Sequence, residues 1–303
     1  MDYGTALADL AQADERVMVL TAENRAAIRD VPARLGDRFI DTGIAEQTLV
    51  GMSAGLALRG RVPVVHALAA FLTMRPFEFI RTDVALANLP VKLVGYVPGV
   101  LSEANGPTHQ ALEDVALMRG LPNVRVFSPA DREDLLLGLR AVVEDPAPWY
   151  VRYVDRPAAV PHAAFEIGRA EVLRAGTDVG ILVHGALLRE ACQAAARLEQ
   201  AGVSVGLVNV RTLKPVDEDA ILATAEGTRL TVTVEDHFQT GGLYSIVAEI
   251  LVRHRLPARL HPVSFGERWF RPALLDDLLA AEGLQGPQLA ARIVAALEID
   301  HVR

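Results

Sequence analysis

At 303 residues, 51% apolar and only 5% aromatic, the chain can bury a sizeable core and is long enough for two domains. A net charge of −8 with no cluster of Lys or Arg argues against nucleic acid or an anionic membrane as partner and leaves a soluble acidic enzyme as the expectation. The single cysteine, Cys192, cannot close an internal disulfide, no run of about 18 apolar residues allows a membrane span, and the first residues lack the basic head and apolar stretch of a secretory signal, so a cytoplasmic location is expected.

Taken in chain order, short apolar or β-branched runs predict strands over 17–20, 39–42, 62–66, 91–96, 124–127 and 150–153. Helical patterns over 4–12, 46–59, 77–87, 111–119 and 132–144 alternate with them. That alternation predicts right-handed crossovers and an α/β fold, a mostly parallel sheet flanked by helices. Prolines at 157 and 161 mark an extended linker. The expected organisation is a first domain over 1–158, a linker over 159–170 and a smaller α/β domain over 171–303. In the latter, strands are predicted at 178–183, 203–209 and 230–235, with helices at 186–200, 217–225, 243–253 and 271–282. Ligand in such a fold binds at the C-terminal ends of the parallel strands.

Within this frame, the segment Arg38-Phe-Ile-Asp-Thr-Gly-Ile-Ala-Glu-Gln47 runs from a strand through a Gly into a glutamate that opens a helix. That helix carries Gly51, Ser53, Ala54, Gly55 and Ala57, so another backbone or a flat ring can approach it closely. Burial beside such a surface would keep Glu46 from water, which suits a proton donor better than a solvated charge. The plainer reading is a first-turn Glu at the positive end of a helix. Further on, Glu103-Ala-Asn-Gly-Pro-Thr-His-Gln110 forms a turn-rich loop. Thr108 is a candidate cap, so His109 is expected at a helix N-terminus, where the imidazolium is disfavoured and the ring can accept or relay a proton.

Together these two segments resemble the transketolase family of thiamine-diphosphate enzymes, specifically the C-terminal half that some organisms encode as a separate chain. Gly43-Ile-Ala-Glu-Gln47, the small-residue helix, Ala70-Phe-Leu72 and Gly106-Pro-Thr-His-Gln110 are similar to its pyrimidine-binding domain. Thr212-Leu-Lys-Pro-Val-Asp217, Val232-Thr-Val-Glu-Asp236 and Gly241-Gly242 are similar to its C-terminal domain. The resemblance implies that Glu46 sets the tautomer of the cofactor's aminopyrimidine, that Phe71 stacks on that ring with Ile44 beside it, and that His109 exchanges a proton with a substrate oxygen. The family holds the cofactor's diphosphate through Mg²⁺ on a Gly-Asp-Gly motif followed by an Asn. No such pair occurs here; the only Gly-Asp, Gly36-Asp37, precedes Arg38. A partner, the N-terminal transketolase subunit, is therefore expected to supply that site, giving an α2β2 heterotetramer.

On the substrate side the chain leaves the family pattern. Enzymes of this family acting on sugar phosphates place an Asp where Asn105 stands, and another substrate-binding His where Val97 stands. Arg156, with Arg25, Arg29 and Arg152, remains a candidate to grip an anionic group. His66, near a strand end, is a candidate for reaching substrate, set against an ordinary core histidine. Asp236 and His237 read as stabilising a subunit contact. The leading function is two-carbon ketol transfer with an unusual substrate. The alternatives are decarboxylative ligation of a 2-oxo acid to an aldehyde, as in deoxyxylulose-phosphate synthases, a 2-oxo acid dehydrogenase β-type subunit, and a purely structural subunit.

Overall fold

The computed structural model describes residues 1–103 and 105–298; Ala104, inside the predicted turn-rich loop, and 299–303 lie outside the described residues. Two sheets build the molecule. The first contains β1 (Val17–Thr21), β2 (Phe39–Asp41), β3 (Val62–Leu68), β4 (Lys92–Tyr96), β5 (Arg125–Phe127) and β6 (Trp149–Tyr153), joined by β10 (Thr212–Lys214). The second contains β7 (Glu171–Arg174), β8 (Val179–Val183), β9 (Val205–Asn209), β11 (Leu230–Phe238) and β12 (Leu260–Phe265). The orders are β10-β5-β6-β4-β3-β1-β2 and β12-β11-β8-β9-β7. Among the described residues every pairing of these strands is parallel except those of β10 with β5 and β7 with β9. Strands buried on both faces, such as β1 and β6, suit a sheet covered by helices on each side.

The covering helices are α1 (Tyr3–Ala13), α2 (Val31–Leu35), α3 (Glu46–Leu58), α4 (Ala69–Met74), α5 (Phe77–Phe79), α6 (Asp114–Arg119) and α7 (Arg132–Glu144) on the first sheet. On the second lie α8 (Leu188–Gln200), α9 (Glu218–Gly227), α10 (Leu243–Arg253), α11 (Leu275–Ala281) and α12 (Gly286–Glu298). Among the described residues no helix is long and apolar enough to cross a membrane. The helix predicted over 77–87 is α5 followed by a wider π-type turn over Ile80–Ala85. The one predicted from 111 begins only at Asp114.

The two units share one interior. Val124 and Val126 of the first pack in the same apolar cluster as Val210, Leu213 and Leu243 of the second. Full burial of each such side chain is worth about 1.5–3 kcal/mol. β10, although it follows the linker, adds an antiparallel edge to the first sheet. Buried polar groups cross the same boundary. Arg152 Nε donates to Asp114 Oδ2 at 2.9 Å and Nη1 donates to Asp236 Oδ1 at 2.7 Å. His237 Nε2 accepts from the Ala116 N–H, so its Nδ1 carries the proton and donates to Phe238 O. Asp236 and His237 are thus internal ties between the two domains and not a subunit contact, because both are fully buried within this chain. Arg152 is likewise removed from the anion-binding candidates, its guanidinium being enclosed by two carboxylates.

Candidate active site

β1 lies between β2 and β3, so the chain runs outward from β1 to β2 and then returns past β1 to β3, a reversal that opens a crevice at the strand ends. A cleft of about 220 Å³ occupies this position, lined by Asn24 after β1, Ile44 and Glu46 after β2, Leu68 at the end of β3 and Phe71 after it. The loops that form it are pinned by Asp41 at the end of β2. Its Oδ1 accepts from the N–H groups of Gly43 at 2.9 Å and Glu23 at 3.0 Å, and Arg25 Nε donates to Oδ2 at 2.8 Å. Burial alone would raise this carboxyl, but Arg25 and the two N–H donors outweigh it and hold it below the usual carboxylate range. Sequence reasoning misses Asp41, although an Asp two residues before a Gly is a turn signal. Arg25, engaged with Asp41, is not a free anion-binding group.

Glu46 occupies the first position of α3 and is only 4% exposed, whereas Ile44 at the rim is 69% exposed. The chain enters α3 through Gly43 at φ +67°, a left-handed turn that other residues adopt only with strain. Glu46 Oε1 accepts from Arg75 Nη1 at 2.7 Å. The Arg75 guanidinium also lies over the Phe71 ring, 3.7 Å from its centroid. Phe71 projects from α4, which packs on α6, and meets the His109 ring edge-on at a centroid distance of 4.9 Å. The structure therefore brings Glu46, Ile44, Phe71 and His109 into one neighbourhood.

His109 reaches it differently from the sequence expectation. It terminates the 3-10 turn Gly106–Thr108, five residues before α6 starts, so no helix end acts on its ring. Thr108 caps nothing; its hydroxyl lies 2.9 Å from His109 Nδ1 and fixes the ring through that atom. Nε2 has no partner among the described residues. Gln110 beside it is buried with neither amide atom hydrogen-bonded among the described residues. The loop is braced from the second domain. Gly106 has φ +69°, and a Cβ there would stand 2.6 Å from Pro272 Cγ.

His66 does not join the site. The Leu20 carbonyl can only accept, so His66 Nδ1 carries the proton and donates to it at 3.1 Å, and Nε2 accepts from the Tyr3 hydroxyl at 2.9 Å. With both nitrogens used and the ring fully enclosed, burial holds its pKa down to about 4. It is a core histidine. Asn105 is exposed at the start of the loop and donates to Ser102 Oγ at 3.3 Å. Arg156 lines a separate cavity of about 630 Å³ between the domains, with Val97, Tyr153 and Leu275, and not the Glu46 cleft.

Residues 2–156 match the family described as transketolase, pyrimidine binding domain, and residues 168–289 match transketolase, C-terminal domain. A 6-deoxy-6-sulfo-D-fructose transketolase subunit of Clostridium sp. (strain MSTE9) is 36% identical over 292 residues, 95% of this chain and 90% of its own length. An apulose-4-phosphate transketolase subunit of Phocaeicola vulgatus is 36% identical over 84% of this chain and 83% of its own. A 1-deoxy-D-xylulose-5-phosphate synthase of Synechococcus sp. is also 36% identical over 98% of this chain, but that covers only 47% of the larger protein. Among solved structures, a split gene transketolase described as an inactive beta4 tetramer superposes with a TM-score of 0.86 at 34% identity, covering 98% of this chain and 96% of that one.

Proposed function

Because the chain is a member of the transketolase family, we propose that it is the C-terminal subunit of a two-component, thiamine-diphosphate-dependent transketolase, moving a two-carbon ketol unit from a ketose-type donor to an aldehyde acceptor. The observation that carries this reading is the convergence of a buried acid, an aromatic face and a loop imidazole at the strand ends. These groups fit the pyrimidine half of the cofactor: Phe71 offers a face to stack on, Glu46 an oxygen for a ring nitrogen, and Leu68 and Ile44 apolar walls. When bound, thiamine diphosphate supplies a centre that stabilises carbanion character next to a carbonyl. Glu46 holds a proton at the pyrimidine edge, and His109 Nε2 exchanges one with a substrate oxygen.

The diphosphate and Mg²⁺ are assigned to a partner subunit. The chain lacks the Gly-Asp-Gly motif and the Asn that follows it. Residues 1–158 would then hold the pyrimidine and 171–303 brace it, in an α2β2 assembly in the cytoplasm, where the lone half-buried Cys192 stays reduced. On the substrate side, Asn105 and Val97 replace the groups expected for ordinary pentose phosphates, and relatives of similar identity carry names with different sugars. The substrate is accordingly a less common ketose; efficient turnover of xylulose 5-phosphate with ribose 5-phosphate by the two-chain complex would remove that part. The catalytic assignment is tested by Glu46→Gln, which keeps shape while weakening proton transfer. A loss of turnover of about 100-fold or more with an unchanged fold is expected. Near-full activity would overturn it.

A further inference from the structure

Arg75 is a charged group that touches two of the cleft's lining residues, Glu46 and Phe71, and that the chemistry above does not use. It follows α4 one turn beyond Phe71, and its N–H donates to the Phe71 carbonyl at 3.2 Å, so the helical i, i+4 relation returns its side chain over the ring. The guanidinium carbon stands 3.7 Å from the Phe71 centroid while Nη1 donates to Glu46 Oε1 at 2.7 Å. A guanidinium is planar and carries its N–H donors in that plane. An aminopyrimidine is likewise planar and would seek the same two groups, a flat face on Phe71 and an edge on the carboxyl, although there its ring nitrogen accepts from Glu46 where the guanidinium donates to it. A separation of 3.7 Å is van der Waals contact, so no second ring fits between Arg75 and Phe71.

Taking the cleft as the pyrimidine site, as proposed above, we propose that Arg75 is a built-in stand-in for the aminopyrimidine: in the cofactor-free subunit its guanidinium fills the pyrimidine's place, and the cofactor enters only by displacing it. The geometry allows this. The Arg75 side chain is 42% exposed and has water to return to, and only its side chain needs to move because the backbone is held by α4. The arrangement also accounts for how a nearly enclosed carboxyl persists without cofactor, since Glu46 would otherwise lack a partner for Oε1.

A site blocked most of the time binds with an affinity reduced by the fraction that is open. The test uses the full chain and the cofactor's pyrimidine half alone, 4-amino-5-hydroxymethyl-2-methylpyrimidine, titrated by calorimetry. Arg75→Ala should bind this probe about tenfold more tightly than wild type, as expected if the site is open about one-tenth of the time. Arg75→Lys keeps the charge without the flat face and should fall between them. Methylguanidine should compete with the probe in Arg75→Ala and restore wild-type-like weakness. Thermal melting confirms that each variant is folded. If wild type binds the probe and Arg75→Ala binds it equally or less well, the stand-in is overturned while the pyrimidine site stands. If neither binds it, the reading of the cleft falls and the stand-in with it.

Discussion

Replacing Arg152 with Met tests whether the two domains behave as one unit. The side chain leaves β6 of the first sheet, is 1% exposed, and joins Asp114 at the start of α6 to Asp236 on β11 of the second sheet. The Tyr150 hydroxyl donates to the same Asp114 oxygen at 2.6 Å. Burial by itself would lower a guanidinium pKa, but the two carboxylates outweigh it and hold Arg152 above its ordinary value. Methionine restores bulk and not charge, so two enclosed carboxyls lose their cation. Removing one partner of a buried pair costs about 3–5 kcal/mol, against about 0–1 kcal/mol for an exposed pair. An unfolding entropy of about 2.1 cal/mol/K per residue makes each kcal/mol worth about 1.6 °C in a chain of 303 residues, so a fall in Tm of about 5–8 °C is expected. The pH dependence has a definite sign. Burial already pushes the Asp236 carboxyl up, and loss of Arg152 pushes it further. A carboxyl raised in the folded state destabilises above its unfolded pKa, and protonation removes that burden. The deficit measured by scanning calorimetry should therefore be largest near pH 7 and shrink toward pH 4. A Tm within about 1 °C of wild type at pH 7, or a deficit that does not shrink on acidification, would refute the reasoning.

Two further outcomes follow from contacts at the loop and the linker. Gly106→Ala places a Cβ against Pro272 at a positive φ, at a cost of about 1–3 kcal/mol, and shifts the loop that carries His109; steady-state assays of the two-chain complex should show kcat reduced about tenfold with the affinity for cofactor within about twofold. His162 is pushed up to about 10, because its contacts to Asp131 and Glu171, each at 2.8 Å, overcome the downward pull of burial. Its contribution is complete below pH 6.5 and is lost as pH rises through 10, so the urea midpoint of wild type should fall between pH 7 and 10 while that of His162→Gln stays flatter over the same range.

The six strands predicted for the first domain are all present, because alternating apolar runs and helices carry their own periodicity. What the pattern hides lies mainly at edges. β12 contains Pro262, which speaks against a strand in general but is tolerated where only one side is paired, here with β11. β10 has three residues and finds its partner in the other domain's sheet, a relation no local signal carries. The π-type turn after α5 also leaves no mark in a helical pattern of apolar residues. By contrast α12 opens with Gly286-Pro287, and proline in the first turn is a helix-start signal that the sequence does display.

At the site, Glu46, Phe71 and His109 follow β2, β3 and β4 of one parallel sheet, so their meeting was legible from topology together with local motifs. Their charged partners were not. Nothing in the sequence singles out Arg75, and Arg152 reads there as an anion-binding candidate; their carboxylates stand 29 and, for Asp236, 84 positions away, distances at which only the folded chain decides who meets whom. The same limit explains His66, whose use as a core hydrogen-bonding group depends on Tyr3 and Leu20 from two other elements. A buried acid needs a partner whatever its task, and Glu46 has two claimants for one oxygen and one aromatic face. Arg75 satisfies the acid here, and in the reading proposed above the pyrimidine would take its place. Since both cannot sit on the same face of Phe71, the interaction that steadies Glu46 is, under the stand-in proposed above, also the one that would compete with a pyrimidine for the cleft.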